Sequence, residues 1–466
     1  MIRWPGRTRL GHRRFSAPPR SSSEAVVTAV DTVTGIPGPA DDSYLGNLHA
    51  FSSDPLAFLT RCARDYGDVV RLGDHNVLLT GPELVERMLV DRNGVFSKKG
   101  IEDSGRAARG RGFPRAMMNS DGADWKAKRQ RMQPAFGRTL AVKAAGLVDA
   151  QGERMLAGWR PGERRDLHGD VSVLILRLVT QLMFGDEFTD QDAALVSRLV
   201  RPIMELSTSP LLLPDWIPTP RHLRLRRGLR DMDRLLRRLT GNPAAVDAER
   251  APVLHALVTG TPAPSPAELR DELATLVLSA FETSNDAVVW TSVLLARHPE
   301  AALRVRDEAV AAFASTPPGL ARMEQLPYTS AVVRESLRLY SPAWMTSRDS
   351  TADLEFGGFT VPAGTTVTVS QWVNHRDPRH WERAGEFDPE RWLEGGARKM
   401  PRGSYFPFGL GARACIGASL ATTEIVHIVA DIWRRHRLEL VDPEGITPRP
   451  ALALQPMGVR VVPRAW

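Results

Sequence analysis

The sequence predicts a mainly α-helical protein with a small β region, folded as a single large domain. Three observations carry this expectation. The stretch from Pro266 to Arg297 reads as one long helix: Ser265 stands at the N-cap, Pro266 lies in the first turn, Glu268 closes a capping box, and His298-Pro299 ends it. Alternating or apolar runs bracketed by turn residues occur in three short places, Val69 to Thr80, Asp353 to Ser370 and Ala451 to Val462. No repeat, low-complexity linker or second set of motifs divides the 466 residues, a length that accommodates one large domain or about three ordinary ones.

Taken in order, residues 1–35 are basic and lack the apolar core of a signal peptide. They read as a disordered extension ahead of a folded domain over 36–466. An organellar transit peptide is the alternative, since the segment is rich in Arg and Ser with no acidic residue before Glu24. Asp54-Pro55 starts a short helix, and Gly73-Asp74-His75-Asn76 turns a hairpin. Gly81-Pro82-Glu83 opens the next helix. Residues 100–115, with Arg106, Arg109, Arg111 and Arg115, keep no periodicity and read as a solvated loop. Asp121 to Arg131 is helical, with Trp125 and Arg129 four apart on one face; Lys126, Lys128 and Arg131 share that helix and offer a basic docking face. Residues 172–250 are mostly helical, interrupted by the proline-rich stretch 207–220. The arginines between Arg221 and Leu239 alternate with an apolar face and read as a solvated surface. Thr329 to Tyr340 is a helix carrying Glu335 and Arg338, three apart, and Ala451 to Val462 reads as a final hairpin.

Composition narrows the class. Apolar residues make up 42% and charged residues 25%, as in globular proteins. No 18-residue apolar run occurs, so no transmembrane helix is expected. Two distant cysteines make no disulfide framework and point to a reducing compartment; Cys62 reads as a small core residue. The net charge of +7 raises nucleic acid, an anionic membrane or an acidic protein as partners. Six lysines stand against 55 arginines among the 61 basic residues, a skew that fits a GC-rich bacterial genome. No base-reading motif accompanies the arginines, so no nucleic-acid partner is expected.

The chemistry concentrates at Phe408-Gly409-Leu410-Gly411-Ala412-Arg413-Ala414-Cys415-Ile416-Gly417. A cysteine just before a helix start lies at the positive end of the helix dipole, close to free N–H groups, and both stabilise a thiolate. The bland alternative is an inert cysteine in a Gly-rich turn. The spacing resembles the haem-binding signature of the cytochrome P450 family, Phe-x-x-Gly-x-Arg-x-Cys-x-Gly. Phe408, Gly411, Arg413, Cys415 and Gly417 meet all five specified positions.

That resemblance implies a cytochrome P450 fold, a catalytic domain over 36–466 and haem b as cofactor. Cys415 would be the axial ligand of the haem iron and Phe408 would shield its sulfur. Trp125, Arg129, Arg348 and Arg413 would bind or neutralise the two propionates. Ala280, Glu282 and Thr283 would form the oxygen-binding stretch of the long helix. There Ala280 leaves room, Thr283 steadies dioxygen, and Glu282 relays protons by way of water. The bland reading is that Thr283 bonds back to a carbonyl one turn earlier. Glu335, Arg338 and Arg391 would make a buried charge trio that holds the cysteine loop in shape. Met117, Met118, Ala343, Trp344, Met345, Thr346 and Leu454 are the candidate pocket residues, with Gln455 and Met457 beside them. The resemblance also implies a substrate-access loop over residues 100–115.

The implied activity is a haem-thiolate monooxygenase. It would insert one oxygen atom from O2 into a largely apolar small molecule, a secondary metabolite such as a terpenoid or polyketide. NAD(P)H-derived electrons would come through a separate acidic ferredoxin and its reductase. A cytoplasmic bacterial monomer is expected. A haem-thiolate enzyme of coupling, rearrangement or peroxygenation is the alternative, and a basic binding protein without catalysis the more distant one.

Overall fold

The computed structural model describes residues 33, 35–40, 47–98, 113–185, 189, 191, 192, 195, 217, 219–240, 246–393 and 400–466. The fold is mainly helical around one large core, with small sheets at its edge. Of the expected extension 1–35, only residues 33 and 35 lie among those described. Val33 is buried and its N–H reaches Asp74 O, so the folded body begins by residue 33, slightly before the expected boundary. Arg106, Arg109 and Arg111 lie outside the described residues, as does most of 207–220.

The helices follow their sequence signals. Helix α1 (Leu48–Ser53) leads to α2 (Pro55–Tyr66), where the Asp54 carboxylate accepts from Ala57 N–H at 2.9 Å. Next come α3 (Pro82–Val90), α4 (Gly122–Met132), α5 (Arg138–Leu156), α6 (Leu167–Phe184), α7 (Pro220–Thr240) and α8 (Pro252–Thr259). The long α9 (Pro266–Arg297) has the predicted bounds, and Ser265 Oγ accepts from Glu268 N–H at 3.2 Å. The reciprocal half of the predicted capping box is replaced. Glu268 instead pairs with Arg131 at 2.9 Å, because a buried guanidinium needs a counter-charge more than an exposed N–H does. Helices α10 (Pro299–Ser315), α11 (Leu320–Glu324), α12 (Pro327–Leu339), α13 (Gln371–Asn374) and α14 (Ala418–Arg435) complete the set.

Helix α9 is buried over most of its length and packs against α6, α14, α12 and α10, as an apolar helix must. Trp290 fixes its C-terminal half: the ring stacks on Tyr340 at 3.9 Å and Nε1–H donates to Leu454 O at 2.8 Å. Helix α6 is long and apolar enough, at mean hydropathy 1.3, to meet the criterion for a membrane span that the sequence reading did not find. Ten of its residues are nevertheless buried, against α9 and α5 among others, so it serves as a core helix. The arginines of α7 are exposed while Met232, Leu235, Leu236 and Leu239 are buried, the expected division.

Lys128 and Arg131 do not form the expected docking face. Lys128 is buried and donates to Arg115 O, Ser120 Oγ and Asp124 Oδ2, and Arg131 turns inward to Glu268; only Lys126 of the three is exposed. Their long stems cover apolar surface while their charges find internal acceptors.

Strands β1 (Val69–Gly73) and β2 (Asn76–Leu79) form the predicted hairpin. They join β3 (Phe96–Ser97), β4 (Thr346–Ser350) and β7 (Thr366–Val369) in a sheet of order β1-β2-β7-β4-β3, where β2 and β7 run parallel. Between β4 and β7, β5 (Leu354–Phe356) and β6 (Phe359–Val361) pair around Gly357 and Gly358, both at positive φ. The final segment is not a hairpin. Strand β10 (Leu454–Met457) pairs back to β9 (Thr447–Pro450), and β11 (Val461–Arg464) pairs back to β8 (Arg437–Leu440). A turn at Ala451–Ala453 already satisfies β10 on its N-terminal side, so its partner precedes it.

Because Trp290 is fully buried with its N–H satisfied, Trp290→Ala should lower stability by about 3–5 kcal/mol. Denaturant unfolding followed by circular dichroism checks this.

Candidate active site

The cysteine loop is shaped by backbone constraint before any side chain acts. Gly409 and Gly411 hold φ of 70° and 71°, a region that other residues rarely adopt. A Cβ at Gly411 would lie 2.6 Å from Leu89 O, so only glycine lets the loop close on α3. Cys415 N–H then donates to Phe408 O at 2.8 Å, and Gly417 becomes the N-cap of α14. Cys415 is solvent-accessible yet flanked by enough protein that burial pushes its thiol pKa up; the Gly417 N–H and Arg129 offset only part of this. The helix terminus alone therefore does not make the expected thiolate. A cation bound to the sulfur would, because a coordinating thiol is deprotonated outright.

Positive charge gathers beside this sulfur. Arg129 donates to Ala414 O at 3.0 Å and to Gln133 at 2.8 Å. Arg413 lies over the Trp125 ring at 4.6 Å and pairs with Asp121, so the aromatic face of Trp125 belongs to Arg413 rather than to Arg129. Arg348, on β4, is buried and donates to Ser347 O, with no carboxylate partner among the described residues. Burial, then Arg413, lowers its pKa to about 10. Among the described residues Asp121 and Asp91 act on this cluster, yet of the three guanidinium groups only Arg413 is in an ion pair, which suits a ligand with two negative groups, so the residues fit a haem with its propionates.

On the other side stands the middle of α9. Ala280 and Phe281 pack on the same core as Phe408, Ile416 and Leu420. Thr283 Oγ1 donates to Ser279 O at 2.6 Å, the local bond expected of the bland reading. Glu282 is buried; its Oε1 accepts from Gln455 Nε2 at 2.8 Å, and its Oε2 has no partner among the described residues. Burial, then the Asp286 carboxylate, raises Glu282 to about 7, against the pull of Gln455 and His168. Gln455, expected near the pocket, is thus an anchor for the acid. Glu424 of α14 is also buried, bonds Ser284 on α9, and is raised by desolvation to about 8. Its position in an otherwise apolar run is the sequence signal for it.

The structure joins Glu335, Arg338 and Arg391. Arg338 donates to both carboxylate oxygens of Glu335, at 2.8 and 2.9 Å, and Arg391 to Oε1 at 3.0 Å. Trp392 Nε1–H, a donor the sequence reading did not assign, completes the set at 2.8 Å. Arg338 also binds the carbonyls of His375, Ala384 and Glu386, and His375 Nε2 accepts from Phe406 N–H at the entry to the cysteine loop.

The pocket candidates divide. Ala343, Met345, Thr346 and Met117 are partly buried, and Met118 is exposed. Trp344 and Leu454 belong instead to a core cluster with Phe58, Leu59 and Cys62. Trp344 donates to Ala451 O and stacks on Phe51, and Leu454 is fully buried. An indole with its N–H satisfied in a core is packed there, not held open for a ligand.

The chain matches the family model for cytochrome P450 over residues 36–462. It is 30% identical over 433 residues to cyclooctatin synthase of Streptomyces melanosporofaciens, covering 90% of this chain and 93% of that one. It is 32% identical to cyclooctat-9-en-7-ol 5-monooxygenase of the same organism, with 86% and 89% covered. Pentalenene oxygenase of Streptomyces avermitilis is 28% identical, with 88% and 92% covered.

Glu335→Gln leaves two buried guanidinium groups without full charge compensation and should cost about 3–5 kcal/mol, with reduced haem retention; thermal melting and the haem-to-protein absorbance ratio report both. Glu424 holds a proton in the folded state that the unfolded chain releases above 4.5. Stability should therefore fall as pH rises between 4.5 and about 8, and Glu424→Gln should make that slope shallower in urea titrations, above pH 7 most of all, where Glu282 and Asp286 have already titrated.

Proposed function

The chain belongs to the cytochrome P450 family, and on that premise we propose that it oxygenates a polycyclic terpenoid with electrons from a separate ferredoxin. Members of this family are oxidoreductases that use haem b, dioxygen and NAD(P)H-derived electrons. The observation that carries the site reading is an accessible Cys415 in the field of Arg129, together with Arg348, a buried guanidinium without an ion-pair partner among the described residues. Bound there, haem supplies the iron chemistry that splits dioxygen, placing one atom on a substrate carbon and releasing the other as water.

The chain's own residues do the rest. Cys415 gives the thiolate, with the Gly417 N–H tuning the sulfur and Phe408 keeping water from it. Arg129, Arg348 and Arg413, with Trp125, hold the propionates. Asp121 yields part of Arg413 when a propionate arrives. Thr283 turns its hydroxyl from Ser279 O toward the oxygen side, and Glu282, neutral below about 7, holds a proton to give. Met117, Ala343, Met345 and Thr346 bound the substrate.

The terpenoid class rests on the relatives, whose names specify cyclooctat-9-en-7-ol and pentalenene. The ferredoxin reading rests on charge. With Lys128 and Arg131 turned inward, the exposed cations among the described residues on or beside the elements that carry the loop include Lys126, Arg92 and Arg402. The last two share the single carboxylate of Glu86. The proposed location is the cytoplasm, as a monomer.

The test is spectroscopic, then chemical. The dithionite-reduced protein under CO should show the red-shifted thiolate band, and Cys415→Ser should lose it; a retained band would remove Cys415 as ligand. With ferredoxin, its reductase and NADPH, a terpenoid panel including cyclooctat-9-en-7-ol and pentalenene should yield oxygenated product. No ferredoxin-dependent product from any terpenoid would overturn the substrate reading.

A further inference from the structure

We propose that Asp286 and His168 form a proton entry from solvent at the start of α6 to Glu282 on α9, a route that rests on the monooxygenase reading above. Glu282 and Asp286 are four apart on α9 and therefore share one face. Both are buried, Asp286 with no exposed surface. Each keeps one carboxylate oxygen, Glu282 Oε2 and Asp286 Oδ2, without a partner among the described residues. A buried carboxylate costs free energy unless satisfied, so two spare oxygens one turn apart in a core helix are poor stabilisers. They are well arranged to pass a proton.

His168 supplies the other end. It lies in the first turn of α6, and its side chain is 37% exposed, so part of the ring meets water. Its Nε2 faces two groups of opposite kind: Asp286 Oδ1 at 3.2 Å, an acceptor, and Asn285 Nδ2 at 2.9 Å, a donor. Asn285 also donates to Ser172 Oγ at 2.9 Å, which fixes the amide in place. When Nε2 is protonated, its N–H is donated to Asp286. When Nε2 is bare, its lone pair accepts from Asn285. The imidazole Nε2 therefore finds a partner in both protonation states. A purely structural histidine needs only one of these partners.

The surrounding charges agree. Among the described residues, the charged groups acting on the carboxyl pair are each other and His168; β10 contributes the neutral Gln455, and α14 contributes Glu424, which bonds Ser284. Burial raises Asp286 to about 6 and Glu282 to about 7, so the pair holds protons where bulk carboxylates would not. The step moves protons only. The neutral Asp286 acid releases its Oδ2 proton toward Glu282 Oε2, and the imidazolium Nε2–H reprotonates Asp286 at Oδ1. A turn of the carboxyl group resets it, and a flip of the partly exposed imidazole carries the bare Nε2 to water, where it takes the next proton. Glu282 passes its proton to the Thr283 side, where oxygen reduction consumes it.

The test uses the haem-loaded full chain with a surrogate [2Fe–2S] ferredoxin, its reductase and NADPH. In His168→Gln and Asp286→Asn, the reduced CO band should be unchanged. Oxygen-dependent NADPH oxidation should fall about tenfold or more, with an increased solvent deuterium isotope effect. Infrared titration of the same proteins, which needs no turnover, should show a carboxylic-acid C=O band that titrates in the wild type. The band should be absent in Asp286→Asn and shifted in His168→Gln. A His168→Gln protein with wild-type rate, isotope effect and infrared titration overturns the route. If Asp286→Asn fails to fold, His168→Gln decides, because its site is partly exposed. A missing CO band in the wild type would instead defeat the monooxygenase reading, and the infrared result would stand apart from it.

Discussion

Glu335 has no exposed surface and receives five N–H groups: two from Arg338, and one each from Arg391, Trp392 and the Asp388 backbone. A buried carboxylate is tolerable only with such complete compensation. The compensation is also what shapes the chain. Through Arg338 it ties α12 to the carbonyls of His375, Ala384 and Glu386, and His375 in turn accepts from Phe406 N–H. The cysteine loop starts two residues later. The sulfur is therefore presented by a rigid path of charge-assisted hydrogen bonds, although none of these residues touches it.

The two sides of the site are built by opposite uses of desolvation. Beside Cys415, burial leaves cations in excess, which prepares the site for an anionic cofactor. Around Glu282, burial leaves acids in excess and raises their pKa values, which prepares a store of protons. Each arrangement destabilises the folded chain on its own. Each matches a demand of oxygen chemistry: a dianionic group to be held, and protons to be delivered into a dry interior.

Much of this was legible before folding. The bounds of α9 followed from Ser265, Pro266 and His298-Pro299, because capping and proline act within a turn. The Gly409 and Gly411 turns followed from their dihedral freedom. Other features were hidden. Lys128 and Arg131 look like surface charges on a helix of weak amphipathicity, yet Lys128 turns in to acceptors from the preceding turn and loop, and Arg131 to Glu268, 137 positions away. Trp125 and Arg129 have the spacing of a pair, but Arg413, nearly 300 positions away, takes the ring.

What the sequence by itself determined is the inventory and local form of the site: a cysteine in a glycine turn before a helix, an acid and an alcohol in the middle of a long helix, an acid and an arginine three apart. These depend on backbone dihedrals and on contacts within one or two turns, which local sequence encodes. The tertiary structure alone decided the partners. It placed Gln455 on Glu282 and His168 against Asp286, sent Trp344 into the core, and paired β10 and β11 backwards rather than with each other. Those choices are made by desolvation and close packing between segments far apart in the chain, where no local preference distinguishes one partner from another.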